Sequence, residues 1–221
     1  ILDMSLNITS IKTYTFDNKT VSLITVENNG STPITIDTSS TAVKINGSTV
    51  SSLGGSVSVA EGSPSLNVGE NVTLKIDLDL NYTVGEQLNL NTRSVEFYGY
   101  ITAQSSSDIT TAGTQSISII NVTAYSNETI FLKVENTGEE YLTVNQITVN
   151  SSSTGVNILG DLTLAPNQIE EYKLTLDRNA NPNFNLNVSD IINVNISTWD
   201  GPSAAQSGIV VQQPPGYSLS L

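Results

Sequence analysis

The chain has no cysteine and no histidine. Without cysteine there is no disulfide, no thiolate nucleophile and no cysteine metal site. Without histidine no side chain titrates near neutrality unless strongly perturbed, and neither a Ser–His nor a Cys–His catalytic pair can be assembled. A zinc ion would have to be held by carboxylates alone, which is foreign to most zinc sites. Positive charge is scarce too: eight Lys and Arg stand against 21 Asp and Glu, for a formal net charge of −13. That balance argues against a nucleic-acid partner, whose phosphates require a basic surface. No run of apolar residues approaches the ~18 needed to span a bilayer, so no membrane span is expected. There is one tryptophan, Trp199, and the tyrosines are dispersed, so the aromatic platform of a carbohydrate-binding module is not evident. Two carboxylates could in principle serve a glycosidase. No acid pair stands apart from the exposed strand faces, and the chain is read as non-enzymatic, with no metal and no cofactor.

What is present is β-pattern. The opening stretch LDMSLNIT, residues 2–9, alternates without a break: Leu2, Met4, Leu6 and Ile8 point one way, and Asp3, Ser5, Asn7 and Thr9 the other. This is the period of a half-buried strand. TLKIDLDL, residues 73–80, turns Leu74, Ile76, Leu78 and Leu80 inward and Lys75, Asp77 and Asp79 outward. NNGST and NTGEE are turn signals between such runs.

The pattern is stated twice. VENNGSTPITI, residues 26–36, returns as VENTGEEYLTV, residues 134–144, and upstream SLNITSIKTY aligns without a gap on SISIINVTAY. Downstream, TAVKINGS pairs with TGVNILGD, KIDLDLN with KLTLDRN, and RSVEFYGYIT with DIINVNIST. In both copies the alternation loses phase after Ile8 and Ile119, as a first strand does when it passes through a bulge. The expected fold is all-β: two tandem immunoglobulin-like antiparallel sandwiches. The expected boundaries are an alternating strand over 1–11, sandwiches over 12–104 and 112–200, a linker near residues 104–113, and a tail over 201–221. The first copy carries about ten extra residues around SSLGGSVSVAEGS, a Gly/Ser-rich loop or hairpin.

Eleven of the 24 asparagines stand in Asn-X-Ser/Thr sequons: Asn7, Asn18, Asn29, Asn46, Asn71, Asn81, Asn121, Asn127, Asn150, Asn187 and Asn195. With 55 Ser and Thr in 221 residues, chance gives about six. The excess points to N-linked glycans and an exported surface protein. Residue 1 is Ile, which reads as a chain already processed, and the long apolar helix that type IV pilins retain is missing.

A cysteine-free, sequon-dense all-β chain with the alternating strand Leu2–Ile8 resembles the subunit of the archaeal thread filament, a glycosylated surface fibre of thermoacidophilic archaea. The resemblance lies in the character of the whole chain and in that strand; no short diagnostic motif carries it. It implies an extracellular filament for adhesion or attachment, in which identical subunits run head to tail by donor-strand complementation. Leu2, Met4, Leu6 and Ile8 would be the donor residues. It also implies isopeptide reinforcement, for which Lys12, sharing a face with Tyr14 and Phe16, is the lysine least turned to solvent. The alternative is a solitary two-domain surface or S-layer-associated module that keeps its first strand. A second candidate donor is the alternating C-terminal end, Tyr217, Leu219 and Leu221.

Overall fold

The computed structural model describes residues 3–96 and 101–213. The chain divides into two compact units at Ala112/Gly113. Unit 1 holds β1 (Leu6–Phe16), β2 (Lys19–Asn28), β3 (Ile34–Thr35), β4 (Lys44–Ile45), β5 (Ser48–Thr49), β6 (Ser56–Glu61), β7 (Ser65–Leu66), β8 (Asn71–Leu78), β9 (Gln87–Arg93) and β10 (Thr102–Thr111). Unit 2 holds β11 (Ile117–Tyr125), β12 (Thr129–Asn136), β13 (Leu142–Val149), β14 (Val156–Leu159), β15 (Thr163–Leu164), β16 (Ile169–Leu176), β17 (Ile191–Thr198) and β18 (Ser203–Val211). A three-residue 3-10 turn, Ser51–Leu53, is the one helical element among the described residues.

Both units are immunoglobulin-like sandwiches that share the wiring of seven strands, and unit 1 adds the hairpin strand β5 at one edge and a separate two-stranded pair, β3 with β7. Unit 1 runs β5-β4-β9-β10-β1-β2-β8-β6, and unit 2 runs β14-β16-β12-β11-β18-β17-β13-β15. In each, the first strand is antiparallel to the second and parallel to the last, through Thr13↔Ile109 in one unit and Ala124↔Val210 in the other. Side-chain alternation then feeds one core per unit. Ile24, Leu74 and Ile76 meet Leu88, Leu90 and Ile109 in the first; Leu132, Leu174 and Val134 meet Ile192, Val194 and Val210 in the second. The β1–β2 hairpin closes on Asp17 and Asn18, both at positive φ (44° and 60°). Two consecutive left-handed residues make the tight turn whose twist matches its strands, and Asp and Asn tolerate that conformation.

Several boundaries differ from the sequence reading. The stretch expected as a linker is β10, whose Ala103 and Ile109 are buried in the unit 1 core. β1 runs unbroken through the boundary drawn between residues 11 and 12, and β18 lies within the stretch assigned to a tail. Small or polar inward residues hid β10 and β18: Ala103, Ser105 and Ser107 in the first, and Ala204, Gln206 and Gly208 in the second, carry no hydrophobic signature. The downstream alignment also shifts. Asn46 accepts the Asn89 N–H through Oδ1 (2.9 Å) and donates its own N–H to Asn89 O (2.9 Å); Asn150 does the same with Asn193 (2.9 and 2.8 Å). Asn46 is therefore the counterpart of Asn150, and β9, QLNLNTR, is the counterpart of β17; TAVKINGS does not match TGVNILGD, nor RSVEFYGYIT DIINVNIST. The Gly/Ser-rich stretch of the first copy holds the 3-10 turn, which has no counterpart among the described residues of unit 2, and the edge strand β6, whose place beside β8 is the one that β14 takes beside β16.

Candidate functional site

The site that the sequence singled out is the seat of the first strand. Leu6 is buried in the unit 1 core, and Met4 and Ile8 pack half-buried against it. Leu2 and the alternative donor residues Tyr217, Leu219 and Leu221 lie outside the described residues. The backbone is tied down at its start: Ser31 N–H donates to Asp3 O (2.8 Å), and Asp3 N–H donates to Ser31 Oγ (3.2 Å). Register with β2 runs Leu6↔Asn28, Asn7↔Glu27, Ile8↔Val26, then shifts at Ile8/Ser10 and continues to Phe16↔Lys19. Pairing with β10 begins only at Thr13. The residues before the bulge thus have ladder partners on β2 alone.

Gly30 explains how the strand can lie so close. A Cβ there would stand 2.5 Å from Asp3 O and 2.8 Å from Ser5 N, so any other residue would push this segment away. Unit 2 repeats the device: a Cβ at Gly138 would stand 2.6 Å from Thr114 O and 2.8 Å from Ser116 N. There Glu139 N–H donates to Thr114 O (2.7 Å), and β11 shifts register at Ile119/Asn121. In this chain, then, Met4, Leu6 and Ile8 occupy the groove of their own sandwich, in the geometry that the internal strand β11 has in its own.

Every sequon asparagine is exposed. Asn18, Asn46 and Asn150 are turn residues at positive φ (60°, 49° and 48°), and Asn7, Asn121 and Asn195 are outward strand positions. Two buried asparagines, Asn28 and Asn136, stand outside any sequon and hold the strand ends together.

The Lys12 ammonium sits 5.3 Å from the Tyr14 ring centroid, a cation–π contact at an exposed lysine. The lysine that sequence reasoning missed is Lys75. Alternation turns it away from the core as expected, but it is fully buried, and its Nζ meets Asp77 Oδ1 at 2.5 Å. Asp77, expected on a solvated face, is buried with it. The available signal was the apolar run TVSLITV on neighbouring β2: Val21 and Leu23, the register partners of Asp77 and Lys75, are buried on this same face. A strand apolar on both faces is covered on both.

Among the described residues, no group of three or more acidic side chains is placed to hold a metal, and no helix is long and apolar enough to cross a membrane. Burial pushes the Tyr172 phenol well above its ordinary range, helped by the nearby Glu170 and Asp161 carboxylates, and its hydroxyl donates to Asp161 O.

No family model and no curated protein matches this chain. Solved structures similar to it include a chimeric titin Z1Z2 carrying a peptide from decorin, at 11% identity over 97% of this chain and 100% of that one (TM-score 0.30). The class 5 fimbriae chaperone CfaA is 14% identical over 95% of this chain and 100% of that one (TM-score 0.32). The ectodomain of mouse nectin-like molecule 4 is 12% identical over 98% of this chain and 66% of that one (TM-score 0.24). Overlap at this level does not bear on function.

Proposed function

We propose that the chain is a structural, non-catalytic subunit of an extracellular, N-glycosylated filament, in which identical copies join head to tail by exchanging the segment before the β1 bulge. The observation that supports this is the seat of that segment. Met4, Leu6 and Ile8 face the core while the backbone pairs with β2 alone, and the bulge separates it from the rest of β1. The same segment from a second copy meets the same groove and the same partners, so exchange conserves each contact. Its gross burial is of order 3–6 kcal/mol, counting one buried and two half-buried side chains. Glycans at the exposed sequons belong to the same reading.

A second reading has its own support. β11 makes the same contacts inside unit 2 without any exchange, so β1 can do so permanently, leaving a two-domain surface module.

The missing cysteines make the test clean. Asn7 and Glu27 are register partners, so an Asn7→Cys/Glu27→Cys chain can close a single disulfide between β1 and β2. Under oxidation, a ladder of covalent multimers that survives boiling in detergent supports exchange. Monomer alone overturns it and leaves the two-domain module. Fibres seen by electron microscopy for the full chain, and lost when residues 1–9 are deleted, are the expected companion result.

A further inference from the structure

The duplication supplies an internal control: a residue pair that one unit has and the other lacks is not required by the fold. On the outward face of β4, β9 and β10 in unit 1, Lys44 is the register partner of Asn91, and Arg93 follows two residues along the same face, opposite Thr102. Lys44 and Arg93 are diagonal neighbours, about 7–8 Å apart at the backbone. The equivalent ladder in unit 2 pairs Thr148 with Asn195 and Ser197 with Ser203, with no charge at any position. Two of only eight basic side chains in a chain of net charge −13 have thus been brought together where the fold accepts Thr and Ser. Like charges at that spacing repel, so the arrangement is unfavourable unless something negative is shared between them.

Asp37 supplies part of that charge, its Oδ2 lying 3.5 Å from Arg93 Nε. Its carboxylate is already spoken for on the other side, where Ser39 donates to Oδ1 through both its N–H (3.1 Å) and its hydroxyl (2.7 Å). Lys44 is exposed, and among the described residues no carboxylate is paired with it. Lys44, Arg93, Asn91 and Thr102, with Ala42, line a cavity of about 130 Å³. One uncompensated cation, an arginine, an amide and a hydroxyl around a small concavity are the donors that recognise an oxyanion on a polyhydroxylated ring.

We propose that this face of unit 1 binds an anionic saccharide, a sugar bearing a carboxylate or a sulfate ester, with Lys44 as the charge that selects for the anion. The site does not depend on whether β1 is exchanged, since it lies on β4, β9 and β10.

The test is amide NMR of the full chain, titrated separately with glucuronate, a sulfated disaccharide, inorganic sulfate and neutral glucose. Saturable shifts confined to the surroundings of Lys44, Asn91 and Thr102 are expected with either acidic sugar, weakening as salt is raised. Lys44→Gln should weaken binding about two- to fivefold, and Lys44→Glu should abolish it. Both change an exposed side chain and leave the Asp37–Arg93 pair intact, so loss of binding is not loss of fold. No saturable shift with either acidic sugar overturns the proposal, as does a Lys44→Gln chain that binds equally well. Glucose binding as tightly overturns the role of charge. Inorganic sulfate binding as tightly as the sulfated sugar overturns the saccharide assignment.

Discussion

The side-chain amide of Asn28 donates to Leu66 O at 3.1 Å, inside unit 1 and fully shielded from solvent. It also donates to Thr32 O (2.9 Å), while its Oδ1 accepts the Gly30 N–H (3.0 Å). Asn136 repeats every bond: to Leu164 O (3.0 Å), to Glu140 O (2.8 Å) and from Gly138 N–H (3.0 Å). One residue thus staples the end of the second strand to the turn that follows it and to a two-residue strand, β7 in unit 1 and β15 in unit 2. Replacing Asn136 by Ala orphans three buried backbone groups, and replacing Asn28 orphans one buried and two half-buried ones; a loss of about 2–4 kcal/mol is expected, larger at Asn136. Trp199, the single tryptophan, lies in unit 2. Its fluorescence should report Asn136→Ala unfolding at lower denaturant and be nearly blind to Asn28→Ala, which circular dichroism should register.

Gly30→Ala places a methyl group against the Asp3 and Ser5 backbone. The expected cost is about 1–3 kcal/mol, concentrated on the segment before the bulge. Hydrogen exchange should show the Leu6 and Ile8 amides losing protection while the β8 amides keep theirs. Equal loss across unit 1 would mean that the segment is not a separable unit.

Lys75→Met strips the buried Asp77 carboxylate of this cation, and about 3–5 kcal/mol of destabilisation is expected. Lys75→Met combined with Asp77→Leu should recover most of the loss, because a matched apolar pair has no charge to desolvate. Thermal melts of the two variants check this.

Acid should act on a defined pair. Burial alone would raise the Asp37 carboxyl, but hydrogen bonds from Ser39 and the Arg93 guanidinium outweigh it and hold the group below its usual value of 3.8. A depressed folded value stabilises the protein above the unfolded one and loses that contribution as pH falls through it. Stability should therefore decline below about pH 3.8, and Asp37→Asn should flatten that part of the curve. The low density of charge predicts that the rest of the curve stays shallow, with denaturant midpoints as the measurement.

At alkaline pH the sign reverses. Tyr172 ionises at a higher pH folded than unfolded, so its contribution is complete below pH 10 and lost as pH climbs towards the folded value. Tyr172→Phe should remove that slope from the Trp199 unfolding signal, although it also gives up the bond to Asp161 O.

The all-β class, the duplication and the core strands were legible because apolar alternation is a local property with a period of two. Leu74, Ile76 and Leu78 went where alternation sent them, and the phase breaks at Ile8 and Ile119 became bulges. β10 reads as a linker because three of its four inward side chains, Ala103, Ser105 and Ser107, are too small to leave a hydrophobic trace, and Ile109 stands alone. The shifted counterparts Asn46 and Asn150 were invisible because hydrogen bonds to β9 and β17, and no local composition, define them.

Alternation in residues 2–8 says that one face of this segment is buried, and it says so unaided, since burying apolar groups is favourable wherever the groove lies. Which groove receives them depends on contacts far apart in the chain. Gly30 and Ser31 at Asp3, and the ladder to Asn28, seat the segment in its own sandwich. The burial of Lys75 has the same origin. A strand pattern distinguishes two faces, but whether the second one meets water depends on what the fold lays across it.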